Sequence, residues 1–154
     1  MIQRLIFSAL LLLFISFSGC SNKEDLELSG GIDLEAVAAS ETLSPRERAN
    51  SMMEALNSLI RVVAKEKDDK KAAATLDAYL DAHSEQLNKI TQDFGDWSLN
   101  ASQEDLMGYI GDLQSKPYYA ELDSNLTLVG YRMAESPELE KSMSKLLALI
   151  NPPS

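Results

Sequence analysis

Four kinds of side chain in this 154-residue chain could do chemistry: one cysteine, Cys20, one histidine, His83, twenty-four carboxylates and a scatter of serines. A lone thiol can be acylated, oxidised or used as a nucleophile, but it can form neither an internal disulfide nor a cysteine-based zinc site. His83 has Leu76, Tyr79, Leu80 and Leu87 at helical spacing, so its ring sits on or near an apolar stripe and not beside aligned carboxylates. An axial haem ligand opposite Met52 or Met53 is one use for such a ring, yet there is no CxxCH, and a buried core or boundary histidine is the preferred reading. Carboxylate-bridged di-metal bundles need Glu-x-x-His on facing helices, and the chain has none. Serine catalysis would call for a Gly-x-Ser-x-Gly elbow between a strand and a helix, which is also missing. The expectation is a protein without catalytic residues, metal ligands or cofactor, and not an enzyme.

The surroundings of Cys20 are more informative. Arg4 is followed by LIFSALLLLFISF, uncharged throughout, and then by Ser18 and Gly19 directly before the cysteine. A positive end, an apolar core and small residues at a cleavage site are the layout of an export signal. The apolar run is nearer 15 residues than the roughly 20 that a membrane-crossing helix needs. FSGC resembles the lipobox of bacterial lipoprotein precursors, with Ser18, Gly19 and Cys20 matching and Phe17 standing where leucine is most common. The resemblance, confined to residues 1–20, implies cleavage between Gly19 and Cys20 and fatty acylation of Cys20 with palmitate-like chains. It thereby accounts for a thiol with no partner in an exported protein. Two or more acyl chains on one residue hold a protein on a bilayer, whereas one chain binds only marginally. In such lipoproteins of bacteria with two membranes an aspartate after the cysteine favours retention in the inner membrane, so the resemblance, with Ser21 at that place, implies the periplasmic face of the outer membrane.

Composition bounds the remainder. The chain has 14 basic and 24 acidic residues, and cleavage removes only Arg4, leaving 13 against 24 and a formal charge of −11. So acidic a surface argues against binding nucleic acid or adhering to anionic lipid, both of which want a basic patch. Cys20 to Ser154 is enough chain for one domain with one core.

The elements that must position any site follow from caps and stripes. Residues 20–44 hold six acids against Lys23 and a Gly30-Gly31 pair, and read as a flexible, lipid-anchored linker with a marginal helix at Leu34–Ala39. Ser44-Pro45-Arg46-Glu47 is a helix start, leading into the stripe Ala49, Met52, Met53, Leu56, Leu59, Ile60 and Val63. After KEKDDKK a second stripe runs through His83 to Ile90, and FGDW at 94–97 is expected to break it. Ser102, Pro117 and Ser136-Pro137 open three more helices, and Pro152-Pro153 stops the last. No stretch alternates like a half-buried strand. The fold class is therefore all-α, a four- or five-helix bundle over residues 45–151 after the signal peptide (1–19) and the linker (20–44).

Aromatic residues concentrate between 94 and 131. Phe94 and Trp97 at FGDW, with Tyr118 and Tyr119 after Pro117, are the candidate partner-binding residues, since Trp and Tyr join large apolar area to a polar tip. The functional expectation is a membrane-anchored, non-enzymatic helical domain that binds another protein of the cell envelope as adaptor, assembly factor or inhibitor. The alternative is a carrier that holds haem or another small apolar ligand between helices.

Overall fold

A computed structural model of the chain describes residues 27–151 and is helical throughout, with α1 (Leu34–Ala39), α2 (Pro45–Lys65), α3 (Asp69–Asn100), α4 (Gln103–Ser115), α5 (Pro117–Met133) and α6 (Pro137–Ile150). The signal peptide, Gly19, Cys20 and the Pro152-Pro153 stop lie outside the described residues. Local sequence sets the helix starts. At α2, Ser44 Oγ accepts from the Glu47 backbone N–H while Glu47 reaches back to the Ser44 backbone, a complete capping box with Pro45 in the first turn. Asp68, Ser102 and Ser136 cap α3, α4 and α6 with side-chain oxygens that accept from first-turn N–H groups, without the reciprocal half of the box. No helix among the described residues is long and apolar enough to cross a membrane.

Four helices form an up-down-up-down bundle. Arg48 near the start of α2 pairs with Asp93 late in α3, so these two run antiparallel. Tyr118 at the start of α5 reaches the Asn50 carbonyl, while Arg132 at its end reaches the Val63 carbonyl, so α5 runs beside α2 in the same direction. Lys145 of α6 pairs with Asp77, and α6 descends along α3. The core between them is built from the predicted stripes: Leu56, Leu59, Ile60 and Val63 of α2, Leu76, Leu80, Leu87 and Ile90 of α3, Leu122 and Val129 of α5, and Leu139, Met143 and Leu146 of α6. Burying each such side chain contributes about 1.5–3 kcal/mol.

One arginine locks the upper end. Arg132 donates to the Val63 carbonyl at 2.9 Å and to Asp69 through Nε at 2.8 Å, with a second, Nη2 contact to the same carboxylate. It thus satisfies a carbonyl left over at the end of α2 and a carboxylate at the start of α3 together.

Two expectations are corrected. The linker does not extend to residue 44: Leu34 is 1% exposed, Ala38 is buried, and α1 packs across both α2 and α3. Ahead of it, the buried Ser29 hydroxyl shares a 2.8 Å hydrogen bond with Tyr79, and Leu28 and Ile32 pack on the core, as does Val37 of α1 itself. Gly30 and Gly31, read as linker glycines, take φ of 66° and 85° to turn the chain into α1. FGDW, in turn, does not end a helix; α3 continues through it for 32 residues, about 48 Å. Gly95 weakens helix by about 1 kcal/mol, while Phe94 and Trp97, one turn apart, pack their rings against each other and against Tyr109.

Candidate functional site

The lower end of the bundle carries the most distinctive surface. Because α3 stays helical, Phe94 and Trp97 project from neighbouring turns of one face, and their ring centroids are 5.3 Å apart. Tyr109 of α4 completes the cluster at 4.9 Å from Phe94 and 5.8 Å from Trp97. From the first turn of α2, the Arg46 guanidinium stands 5.6 Å from the Trp97 ring and 5.8 Å from the Tyr109 ring, within cation–π range. Burial pushes the Tyr109 phenol above its ordinary value, with Arg46 acting against that shift and Asp112 adding to it.

Beside the cluster lies an apolar groove of about 440 Å³. Ala49, Met52 and Met53 of α2 form its floor with Thr91 and Phe94 of α3, Tyr109 and Leu113 of α4 form one wall, and Leu147 and Ile150 of α6 form the other. Thr91 Oγ1 donates to Met52 Sδ at 3.9 Å, which turns its hydroxyl into the floor. Next to it, Asp93 is held by Arg48 at 3.1 Å and Lys89 at 3.2 Å. A methionine-lined groove edged by aromatic rings can adapt its shape to an apolar guest.

α4 is lightly seated. Tyr109 is its one buried residue, while Met107 is 61% and Ile110 45% exposed. Leu99, at the end of α3, is 85% exposed. Met107 and Ile110 continue the row of Leu113, which lines the groove, onto the outer face of α4.

The four residues expected to form a partner site are therefore not one cluster. Phe94 and Trp97 belong to the lower end, whereas Tyr118 turns its hydroxyl to the Asn50 carbonyl at 3.3 Å and lines a separate, polar pocket with Asn57, Arg61 and Glu121. There Asn57 Nδ2 donates to Glu121 at 3.0 Å and Arg61 stands 3.7 Å from the same carboxylate. Those partners hold the Glu121 carboxyl below its ordinary range, Asn57 most. The Tyr118 phenol is pushed up to about 12, chiefly by burial and then by the charges of Tyr109, Glu54 and Asp112, so it remains a donor at neutral pH. Tyr119 is half-buried on the same turn.

His83 is buried with its ring centroid 4.6 Å from that of Tyr79. It lies eight residues before Thr91 on α3, about 12 Å along the axis, and so is not opposite Met52, which touches Thr91. No group of three or more His, Cys, Asp or Glu among the described residues is arranged to hold a metal ion.

Two members of the cluster were not singled out by sequence as site residues. Tyr109 shares a stripe with Leu106 and Leu113, the signal that could have placed it inward. Arg46 offers no such signal, because its position over the rings depends on how α2 and α3 are registered. Comparison with protein-family models, with curated proteins and with solved structures finds no match.

Proposed function

We propose that this protein is a lipid-anchored module of the bacterial cell envelope, held by acylated Cys20 at the periplasmic face of the outer membrane, and that its bundle binds another protein without catalysing a reaction. The observation that carries the binding reading is the groove at the lower end, where Met52, Met53, Leu147 and Ile150 meet the Phe94–Trp97–Tyr109 cluster. Aromatic anchors beside an apolar depression are the usual composition of an energetically dominant contact. The lipobox resemblance carries the location.

Two measurements test these parts separately. Intact-mass analysis of the protein from its own host should find a chain beginning at Cys20 with fatty acyl groups; an uncut leader or an unmodified thiol rejects the location. Photo-crosslinking from position 97 in living cells should give a defined protein adduct that is lost in Phe94→Ser, and adducts indifferent to that change reject the groove as the contact.

The groove volume favours one second reading, a carrier of a small apolar ligand, haem included. Organic extraction and an absorption spectrum of native protein decide it: a stoichiometric lipid or a Soret band supports the carrier.

A further inference from the structure

Resting on the protein-binding reading, we propose that the outer face of α4, together with the groove it walls, docks an amphipathic helix of the partner whose polar side is basic. Met107, Ile110 and Leu113 follow one another at three-residue steps and so form a continuous ridge on α4. Leu113 lines the groove, while Met107 and Ile110 stand out in solvent at 61% and 45% exposure. Gly111 lies next to this ridge, and a methyl group added there would meet nothing within 4 Å, leaving room for another backbone to come close. A ridge of this length, ending in a depression, matches the anchors that one face of a helix presents at i, i+3, i+4 and i+7.

Charge identifies the polar side of the guest. Between Lys89 and Lys116 the chain carries Asp93, Asp96, Glu104, Asp105 and Asp112 and not one lysine or arginine. Asp93 is paired with Arg48 and Lys89, and Asp112 with Lys116. That leaves Glu104, three residues before Met107 on the same row, Asp105 beside it in the first turn of α4, and Asp96 late in α3 without an ion-pair partner among the described residues. Arg46, the cation at the cluster, stands over the Trp97 and Tyr109 rings and keeps its charge there. An acidic helix would meet repulsion from these exposed carboxylates and a neutral one would not engage them; a basic one is steered in and held in register.

Trp97 is the only tryptophan in the chain, so its emission reports this end of the bundle alone. The full-length chain in nanodiscs of zwitterionic lipid is titrated with an 18-residue peptide of leucine and lysine at helical amphipathic spacing, and with its leucine–glutamate counterpart. The lysine peptide should shift Trp97 emission saturably and the glutamate peptide should not. Met107→Glu is decisive because residue 107 is exposed: the change leaves folding intact, as circular dichroism would confirm, yet makes the surface more acidic. The proposal expects at least tenfold weaker binding of the lysine peptide, whereas attraction by net charge alone would tighten it. Unchanged or tighter binding in Met107→Glu, or equal binding of both peptides, overturns the proposal. So does an in-cell photo-crosslink to protein from position 128 on α5 with none from position 110, an outcome that leaves the protein-binding reading standing.

Discussion

Gly30 shows how much a single residue decides. Its φ of 66° lies in the left-handed region, and a Cβ there would sit 2.3 Å from Ser58 Oγ. Gly30→Ala should therefore cost about 1–3 kcal/mol of folding stability, measured by urea denaturation, while Gly31→Ala, with open space around it, suffers the backbone strain alone. Titration is decided at the same scale. Lys145 foremost, then Ser142, holds the Asp77 carboxyl below its ordinary value of 3.8, and the Ser44 cap does the same for Glu47. A carboxyl whose folded value is lowered stabilises the fold fully above the ordinary value, and that contribution fades as the pH falls through the folded value, because the unfolded chain takes up the proton first. The urea midpoint contributed by these groups should be flat from pH 7 to 5 and fall below about pH 4. Asp77→Asn should make that fall shallower, and an unchanged acid limb would show that the Lys145 contact is not formed in solution. Sequence makes the caps visible, since Ser44 and Glu47 are three residues apart. It hides Asp77–Lys145 and Arg46–Trp97, whose members meet only after the bundle has closed.

Among the elements, the two that sequence misplaced are those in which distant contacts overrule local preference. Six acids and two glycines make residues 21–44 look like solvated chain, yet Leu34 and Ala38 find the seam between α2 and α3 and Asp33 caps the turn by accepting from the Ala36 N–H. FGDW has the composition of a break, but the rings on either side of Gly95 hold the helix through it. The four bundle helices were legible because their stripes and caps agree with each other and with their burial. One paired measurement separates these cases. Leu34→Ala should lose about 2–5 kcal/mol, as for any buried leucine, and a mobile linker would lose nothing. Gly95→Ala meets no neighbour within 4 Å and should gain about 0.5–1 kcal/mol. A loss at Gly95→Ala would mean that the end of α3 is not helical in solution and that the aromatic cluster is not held as described.

For the molecule as a whole, seating α1 on the bundle changes how far the domain can stand from a membrane. A linker running from Cys20 to residue 44 would allow about 80 Å of extended chain, enough to bridge to a distant partner. With Ser29 already buried against Tyr79, nine residue steps remain, at most about 30 Å when fully extended. If Cys20 is acylated, the bundle is confined to within about its own diameter of the lipid, and any partner must approach that layer. The chain's net charge of −10 opposes contact with anionic headgroups, so on an acylated protein the short tether and the acidic surface would act against each other: one would hold the domain near the bilayer, the other would keep it from lying on it. Neutron reflectometry of the lipidated protein on a supported bilayer should find a protein layer separated from the headgroups by no more than about 30 Å of solvent, drawn closer as salt screens the repulsion. Inserting twenty Gly-Ser residues between positions 24 and 27 should move that layer outward, and a native layer already as distant as the extended variant's would mean that the Ser29–Tyr79 segment is released from the bundle at the membrane.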